Sequence, residues 1–454
     1  MHHLFRIILG LLFNILFLNQ SFAQDINQAL AEAYSSHPLL FAERASGRAV
    51  VENVTDALSG WRPEVSLNSS IGKKIVTTIA SSKSADTDNN SPVSVGMSIE
   101  QTIYDSGQRQ EVLNIAESEV LLSQAKLMKV ETDILLDASK AYLNFVKEQS
   151  LLEIAKKNFE VVERQLQATK DRFDVGDVTI TDVSQAEARL SDAIASLVRS
   201  ESNLESAKVV YTTAIGKEPL HVAYPNTLPL LTANIKELSD KAVLRNPNIV
   251  ISNYIIETTK SKLNLALKEL GPTVSLRASV NQSWDPNTFF EEQRYLDLNA
   301  VLSWPLYRGG KEWSNIRRLK EKLRQHTLEK DNFVRLSSEA TIKLWNTIER
   351  AKAEIKAYKS SIYANEVALN GVREEENVGS RTVIDVLDAE NELFRARANL
   401  IIAERDLYVY VYALLASIGD LNARSLSLPV DSFYNPEEYY NKVRNASWGR
   451  LEDD

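Results

Sequence analysis

Residues 175–187 read VGDVTITDVSQAE and residues 378–390 read VGSRTVIDVLDAE, so one turn is written twice in the same chain. The offset, 378 − 175 = 203, also aligns Ile215-Gly216 with Ile418-Gly419. Before a short deletion it is 272 − 63 = 209, where Pro63, Val65, Ser66 and Leu67 match Pro272, Val274, Ser275 and Leu276. Solenoid modules recur every ~20–50 residues. A period this long marks the duplication of a domain-sized unit, and whatever one half builds the other builds again.

Outward from each turn the sequence is helical. From Gln108 to about Phe173 there is no proline or glycine, and apolar residues fall at heptad spacing: Val120, Leu127, Ile134, then Leu152, Phe159, Leu166. At 1.5 Å per residue this predicts a helix roughly 100 Å long. Past Gly176 a second helix returns through Val183, Ala186, Leu190, Ala193 and Leu197. The second half runs from Lys311 to Gly379 and back through Val386, Ala389, Leu393, Ala396, Leu400 and Leu407. Seams of this length imply antiparallel, supercoiled helices.

Upstream of each long helix the period changes to two. Val93, Val95, Met97 and Ile99 alternate with Ser94, Gly96, Ser98 and Glu100; Val274, Leu276, Ala278 and Val280 alternate with Ser275, Arg277, Ser279 and Asn281. Residues 65–71 and 296–304 follow the same rule. Each half therefore contributes one strand hairpin, with polar loops expected at about 72–92 and 281–294. A helical stretch opens each half, 26 to about 59 and 235 to about 270, with His37-Pro38 aligned to Asn246-Pro247.

The N-terminus carries a targeting signal. His2, His3 and Arg6 lead into an apolar run from Ile7 to Leu18, too short to span a bilayer, which ends at Ser21-Phe22-Ala23. An exported chain starting at Gln24 is expected. The expected organisation is a signal peptide at 1–23, a first repeat at 24–218, a proline-marked linker at 219–234, a second repeat at 235–420 and a tail at 421–454. The tail either packs on the outside or is partly disordered.

The 454 residues are 44% hydrophobic and 25% charged, as in folded proteins, and the net charge of −9 argues against a nucleic-acid partner. With no cysteine there is neither a disulfide nor a site for a lipid anchor. No later stretch offers about 20 uninterrupted apolar residues, so membrane insertion has to use strands. His37, His221 and His326 lack metal-ligand spacing, and neither a nucleophile motif nor a phosphate loop is present, so no catalytic residue, metal or cofactor is expected.

Four strands cannot close a barrel, and an open edge in hydrocarbon leaves backbone groups unpaired at several kcal/mol each. Chains must then share one barrel. Two give eight strands around filled side chains and three give twelve around a lumen; the strands alone do not choose. Aromatic residues near the strand ends, Trp61, Tyr104, Trp284, Trp304 and Tyr307, fit either an interfacial belt or core packing.

The leader, the doubled order of helix, strand hairpin and long helical hairpin, the strand exits Tyr104-Asp105-Ser106-Gly107 and Tyr307-Arg308-Gly309-Gly310, and the paired Val-Gly turns together resemble the TolC family of outer-membrane efflux proteins. The resemblance covers about 26–420. It implies a mostly α protein with a β-barrel part: a homotrimer whose long coiled-coil helices form an α-barrel and whose twelve strands form a shared transmembrane barrel. It also implies a passive exit duct in the outer-membrane lipid of a Gram-negative bacterium, docked through a periplasmic adaptor to an inner-membrane pump of ABC or RND type. Residues 377–388 look most like the members that serve type I protein secretion as well as drug efflux. A periplasmic adaptor or structural coiled-coil protein is the alternative, although it would not need four alternating strands.

Two polar patterns at the turns bear on a gate. Thr179-x-x-Asp182 and Thr382-x-x-Asp385 have capping-box spacing, although a cap can also face a pore. Arg381 aligns with Val178 and Asp388 with Gln185, so these two charges are not part of the duplicated scaffold. Asp388, three residues past Asp385, shares its helical face, and three chains would ring an opening with six acids. The resemblance implies that Arg381 bonds Thr181 and Asp182, and that Asp385 and Asp388 form the acidic periplasmic entrance. Where close relatives carry a tyrosine in the second turn, this chain has Asn377.

Overall fold

A computed structural model describes residues 25–79, 81, 85–225 and 234–446; the expected leader lies outside them. The elements in chain order are α1 (Ile26–Ser36), α2 (Pro38–Ser59), β1 (Glu64–Ile71), β2 (Lys74–Ile79), β3 (Ala85–Asn90), β4 (Val93–Tyr104), α3 (Gln108–Asp174) and α4 (Ile180–Ile215). They are followed by α5 (Ile235–Arg245), α6 (Pro247–Lys268), β5 (Thr273–Asn287), β6 (Phe290–Ser303), α7 (Lys311–Asn377), α8 (Val383–Ser417) and α9 (Pro436–Val443). Both long helices run 67 residues.

Contacts divide the chain into two compact units, each drawn from both repeats. One comprises Glu43–Leu127, Val250–Asn332 and the chain from Asn435 on, and holds the sheet. Its strands are ordered β1-β4-β5-β6, all neighbours antiparallel. The register sorts side chains by face. Val65 lies opposite Ile99, Leu67 opposite Met97, Ala278 opposite Leu298 and Val280 opposite Leu296, which gives an apolar face. Ser66 opposite Ser98, Ser70 opposite Ser94, Glu100 opposite Arg277 and Ser279 opposite Asp297 give a polar one. Hydroxyl pairs 2.7 and 2.8 Å apart and an Arg277–Glu100 ion pair at 2.7 Å tie the polar face together. The apolar face is bare: Leu67, Leu296 and Leu298 are about three-quarters exposed.

The strands are longer than expected. Positions 281–294 are not a loop: β5 and β6 continue almost to their tight connection near Asn287 and Phe290. Within the expected loop at 72–92, β2 and β3 form a second hairpin, fastened to the sheet where Asn90 and the Ser91 amide donate to the Asp285 carboxylate at 2.8 and 2.6 Å. β2 and the start of β6 are exposed on both faces, so pairing holds them without the alternation that a one-sided core imposes.

The opening helices are also corrected, since each is broken once. His37 and Asn246 precede proline, whose ring drives the residue before it out of helical conformation, to ψ 119° and 125°. In the unit that holds the sheet, α9 orders part of the tail. Its Val443 is buried with Val51, Val54, Leu113 and Val120, and Arg444 pairs with Glu117 at 3.1 Å.

The other unit comprises the chain to Ala42, Met128–Ile249 and Phe333–Tyr434. Tyr142, Tyr211, Leu30, Ile215 and Leu414 are fully buried there, each apolar side chain contributing on the order of 1.5–3 kcal/mol. The start of the linker is pinned: Tyr142 donates to the Ala223 carbonyl at 2.8 Å and Tyr408 to the Pro225 carbonyl at 2.7 Å.

Candidate functional site

Both turns lie in this second unit and share one backbone design. At the end of α3 the Asp177 amide reaches back to the Arg172 carbonyl and Gly176 to Phe173, each at 2.9 Å; at the end of α7, Ser380 reaches Glu375 and Gly379 reaches Glu376 at the same distance. This is the Schellman ending, and it needs a left-handed residue, supplied by Gly176 (φ 83°) and Gly379 (φ 75°). Reciprocal capping boxes then start the returning helices, Thr179 with Asp182 on α4 and Thr382 with Asp385 on α8. The Thr179 hydroxyl and amide hold the Asp182 carboxyl below the usual aspartate range, and the Thr382 amide and hydroxyl do the same for Asp385.

The charges differ where the backbones agree. In the first turn Arg172 donates to Asp177 at 2.7 Å; at the matching place in the second, Glu375 accepts from Arg381 at 2.8 Å. Cation and anion have changed sides of the turn. Arg381 also lies 3.9 Å from Asp385, and within this chain neither Thr181 nor Asp182 bonds to it. Its guanidinium pKa is raised, chiefly by Glu375.

Two ion pairs join the hairpins. Arg172 also reaches Glu376 of the second hairpin, and Arg189 donates to Asp388 at 2.6 Å. Asp385 and Asp388 do share one helix, as expected, but Asp388 is already countered. Asn377 closes α7, and its neighbour Glu376 makes the link between turns. Beneath these pairs Val162, Leu166, Val183, Ala186, Val383 and Leu387 form one apolar cluster drawn from both hairpins. Arg172, Glu375, Glu376 and Arg189 were not anticipated as site residues. They were detectable, because each carries a charge that its repeat partner lacks or reverses: Arg172 against Glu375, Phe173 against Glu376, Arg189 against Glu392.

No helix of the described residues is long and apolar enough to cross a membrane, and no His, Cys, Asp or Glu cluster among them could hold a metal. The two-faced sheet, the doubled helical hairpins and the capped turns define an outer-membrane channel built from strands and long helices. The outer membrane efflux protein family model matches residues 29–217 and 238–420, and the chain belongs to that family. It is 30% identical over 428 residues to the outer membrane efflux protein BepC of Brucella suis, covering 94% of this chain and 92% of that one. It is 24% identical over 413 residues to the outer membrane protein TolC of Vibrio cholerae, covering 89% and 92%. The solved Campylobacter jejuni CmeC outer membrane channel superposes with a TM-score of 0.78 at 12% identity, over 92% of this chain and 89% of that one, which supports the fold. The protein is thus an outer-membrane exit duct of an efflux or secretion system, and the adaptor and structural coiled-coil alternatives fall away.

Proposed function

We propose that three copies of this chain close a twelve-stranded barrel in the outer membrane, continued by a barrel of their long helices. The observation that carries this reading is the four-stranded sheet with one apolar face and two unpaired edges, β1 and β6. In lipid, β6 of one copy pairs with β1 of the next until the ring closes. Two copies would give 2 × 4 = 8 strands, an interior filled by side chains; three give 3 × 4 = 12, wide enough for a solute. The division into repeats at 24–218 and 235–420 belongs to the same proposal, each repeat supplying two strands and one long helical hairpin.

The helical turns form the periplasmic entrance. Arg381, swung from Glu375, binds Thr181 and Asp182 of a neighbouring hairpin to hold it shut, and Asp385 and Asp388 line the constriction. A periplasmic adaptor and an inner-membrane pump, of ABC or RND type, dock there and release it. No step is catalysed by this chain. Membrane fractionation followed by gel migration with and without boiling tests the assembly: an outer-membrane, heat-resistant trimer is expected, and a soluble monomer would overturn it.

A further inference from the structure

A cavity of about 750 Å³ lies where the strands hand over to the long helices. Its walls include Thr273 and Ser303, which face each other on the polar side of the sheet, together with Gln108, Arg308, Lys311 and Arg318. If three copies form the duct proposed above, the polar face is the lumen and this cavity opens into it.

Its electrostatics differ from those of the rest of the chain. Residues 308–324 carry Arg308, Lys311, Arg317, Arg318, Lys320, Lys322 and Arg324 against Glu312 and Glu321, 7 − 2 = +5 in a protein of net charge −9. The matching stretch 105–121 carries Arg109 against Asp105, Glu111, Glu117 and Glu119, 1 − 4 = −3. Those acids are all matched: Asp105 by Arg109, Glu111 by Lys268, Glu117 by Arg444 and Glu119 by Lys262. Of the cations, Arg308 meets Glu312, and the others have no ion-pair partner among the described residues. Lys311, Arg318 and Lys322, spaced seven and four apart, fall on one face of α7. Among the described residues Lys311 and Lys322 have no bonded partner, and Arg318 meets only the neutral Asn315 amide. Two carboxylates also line the cavity; Arg308 sits 3.7 Å from Glu312, and Glu269 is exposed.

We propose that this cavity is an anion-binding collar inside the duct, which takes carboxylate- or phosphate-bearing solutes as they leave the helical section. The inference rests on the exit-duct reading and goes beyond it by assigning a substrate-facing site of opposite sign to the acidic entrance. Arg308 spends its charge on Glu312, so Lys311 and Arg318 make the principal contacts, with Ser303 and Thr273 as neutral donors. Charge-assisted contacts of this kind are the strong ones, and they weaken as salt screens them.

The test uses the full-length protein in planar lipid bilayers at low salt, with tripolyphosphate added on the strand side. Concentration-dependent block is expected in the native protein. In Lys311→Gln/Arg318→Gln the apparent affinity should fall at least about 10-fold, the order expected from losing two hydrogen bonds to a charged group. Lys311→Arg/Arg318→Lys, which keeps the charges, should retain block; heat-resistant oligomer on a gel shows that both variants fold. Conductance without block in the native protein, or equal block in the charge-removed variant, would overturn the collar and leave the exit duct intact. A native protein with no conductance at all would overturn the duct and the collar with it.

Discussion

Replacing one residue on each face of β4 tests which face meets lipid. The apolar residues of β4 run from Val93 to Ile103, 103 − 93 = 10 steps. At ~3.4 Å per residue that is about 34 Å of strand, or about 26 Å along the membrane normal at a tilt of ~40°, close to the ~25 Å apolar band of outer-membrane barrels. Met97, four steps from one end and six from the other, lies ~10 and ~16 Å from the two edges on the same geometry. Met97→Arg therefore places a charge near the bilayer centre, costing about 2–4 kcal/mol per chain. Since 1.4 kcal/mol is a factor of ten, the folded-to-unfolded ratio drops roughly 30-fold to nearly a thousandfold. Ser98→Arg, one residue on, points to the polar face, where Ser66 and Ser279 flank it, and should cost well under ~1 kcal/mol, as surface changes ordinarily do within ~0.5 kcal/mol. The assay is denaturant unfolding of the protein refolded into vesicles, followed by tryptophan fluorescence. Equal losses for the two variants, or a greater loss for Ser98→Arg, would refute the assignment of faces.

Removing the second-turn cation, Arg381→Ser, should raise single-channel conductance; conductance unchanged in this variant and in Asp182→Ala would exclude these residues from the gate. Divalent cations added from the periplasmic side should block through Asp385 and Asp388, and replacing both by Ala should abolish the block. Because Arg189 counters Asp388, Arg189→Gln should strengthen that block, read as a lower half-blocking concentration. Asp182 and Asp385 bind protons less readily in their caps than in an unfolded chain, whose value is 3.8, so their contribution is full above that value and is lost as pH falls through the depressed folded values. The protection of the Val183 and Val386 amides, measured against the intrinsic exchange rate at each pH, should fall below about pH 4 and hold between about pH 5 and 8. Gly419→Ala would drive a Cβ into the Arg245 carbonyl at a φ of 74°, and should destabilise the fold by more than about 1 kcal/mol, read as a lower thermal midpoint.

Much of the fold was legible because apolar spacing records one-sided burial. The heptads of α3 and α7 have a buried side and the four strand cores an apolar one; the long helices and the Val-Gly turns emerged at nearly their final boundaries, and the strand cores as the apolar parts of longer strands. β2 and β3 lack one. Ile75 and Ile79 are largely exposed, and the pairing that orders them is backbone to backbone, a bond in which every residue but proline looks alike. The helix breaks at His37 and Asn246 were written in the prolines that follow them. At the turns, Thr179, Asp182, Thr382 and Asp385 could be placed because capping is local in sequence. Arg172 with Glu376, and Arg189 with Asp388, join positions about 200 apart, and nothing in the spacing of either repeat names the partner. Only the charge differences between aligned positions pointed there.

Those differences also constrain how the chain could have arisen and what it can no longer become. A ring assembled from separate copies of a single ancestral repeat would make the same contact at every hairpin, setting 172 against 173 (376 − 203) and 189 against 185 (388 − 203). With Arg172, Phe173, Gln185 and Arg189 in one half and Glu375, Glu376, Asp388 and Glu392 in the other, each hairpin now supplies what its sibling lacks. Neither half, expressed alone and left to self-assemble, could reproduce the Arg172–Glu376 or Arg189–Asp388 contacts. The fusion has become a ratchet: divergence after duplication turned two interchangeable parts into an obligate pair.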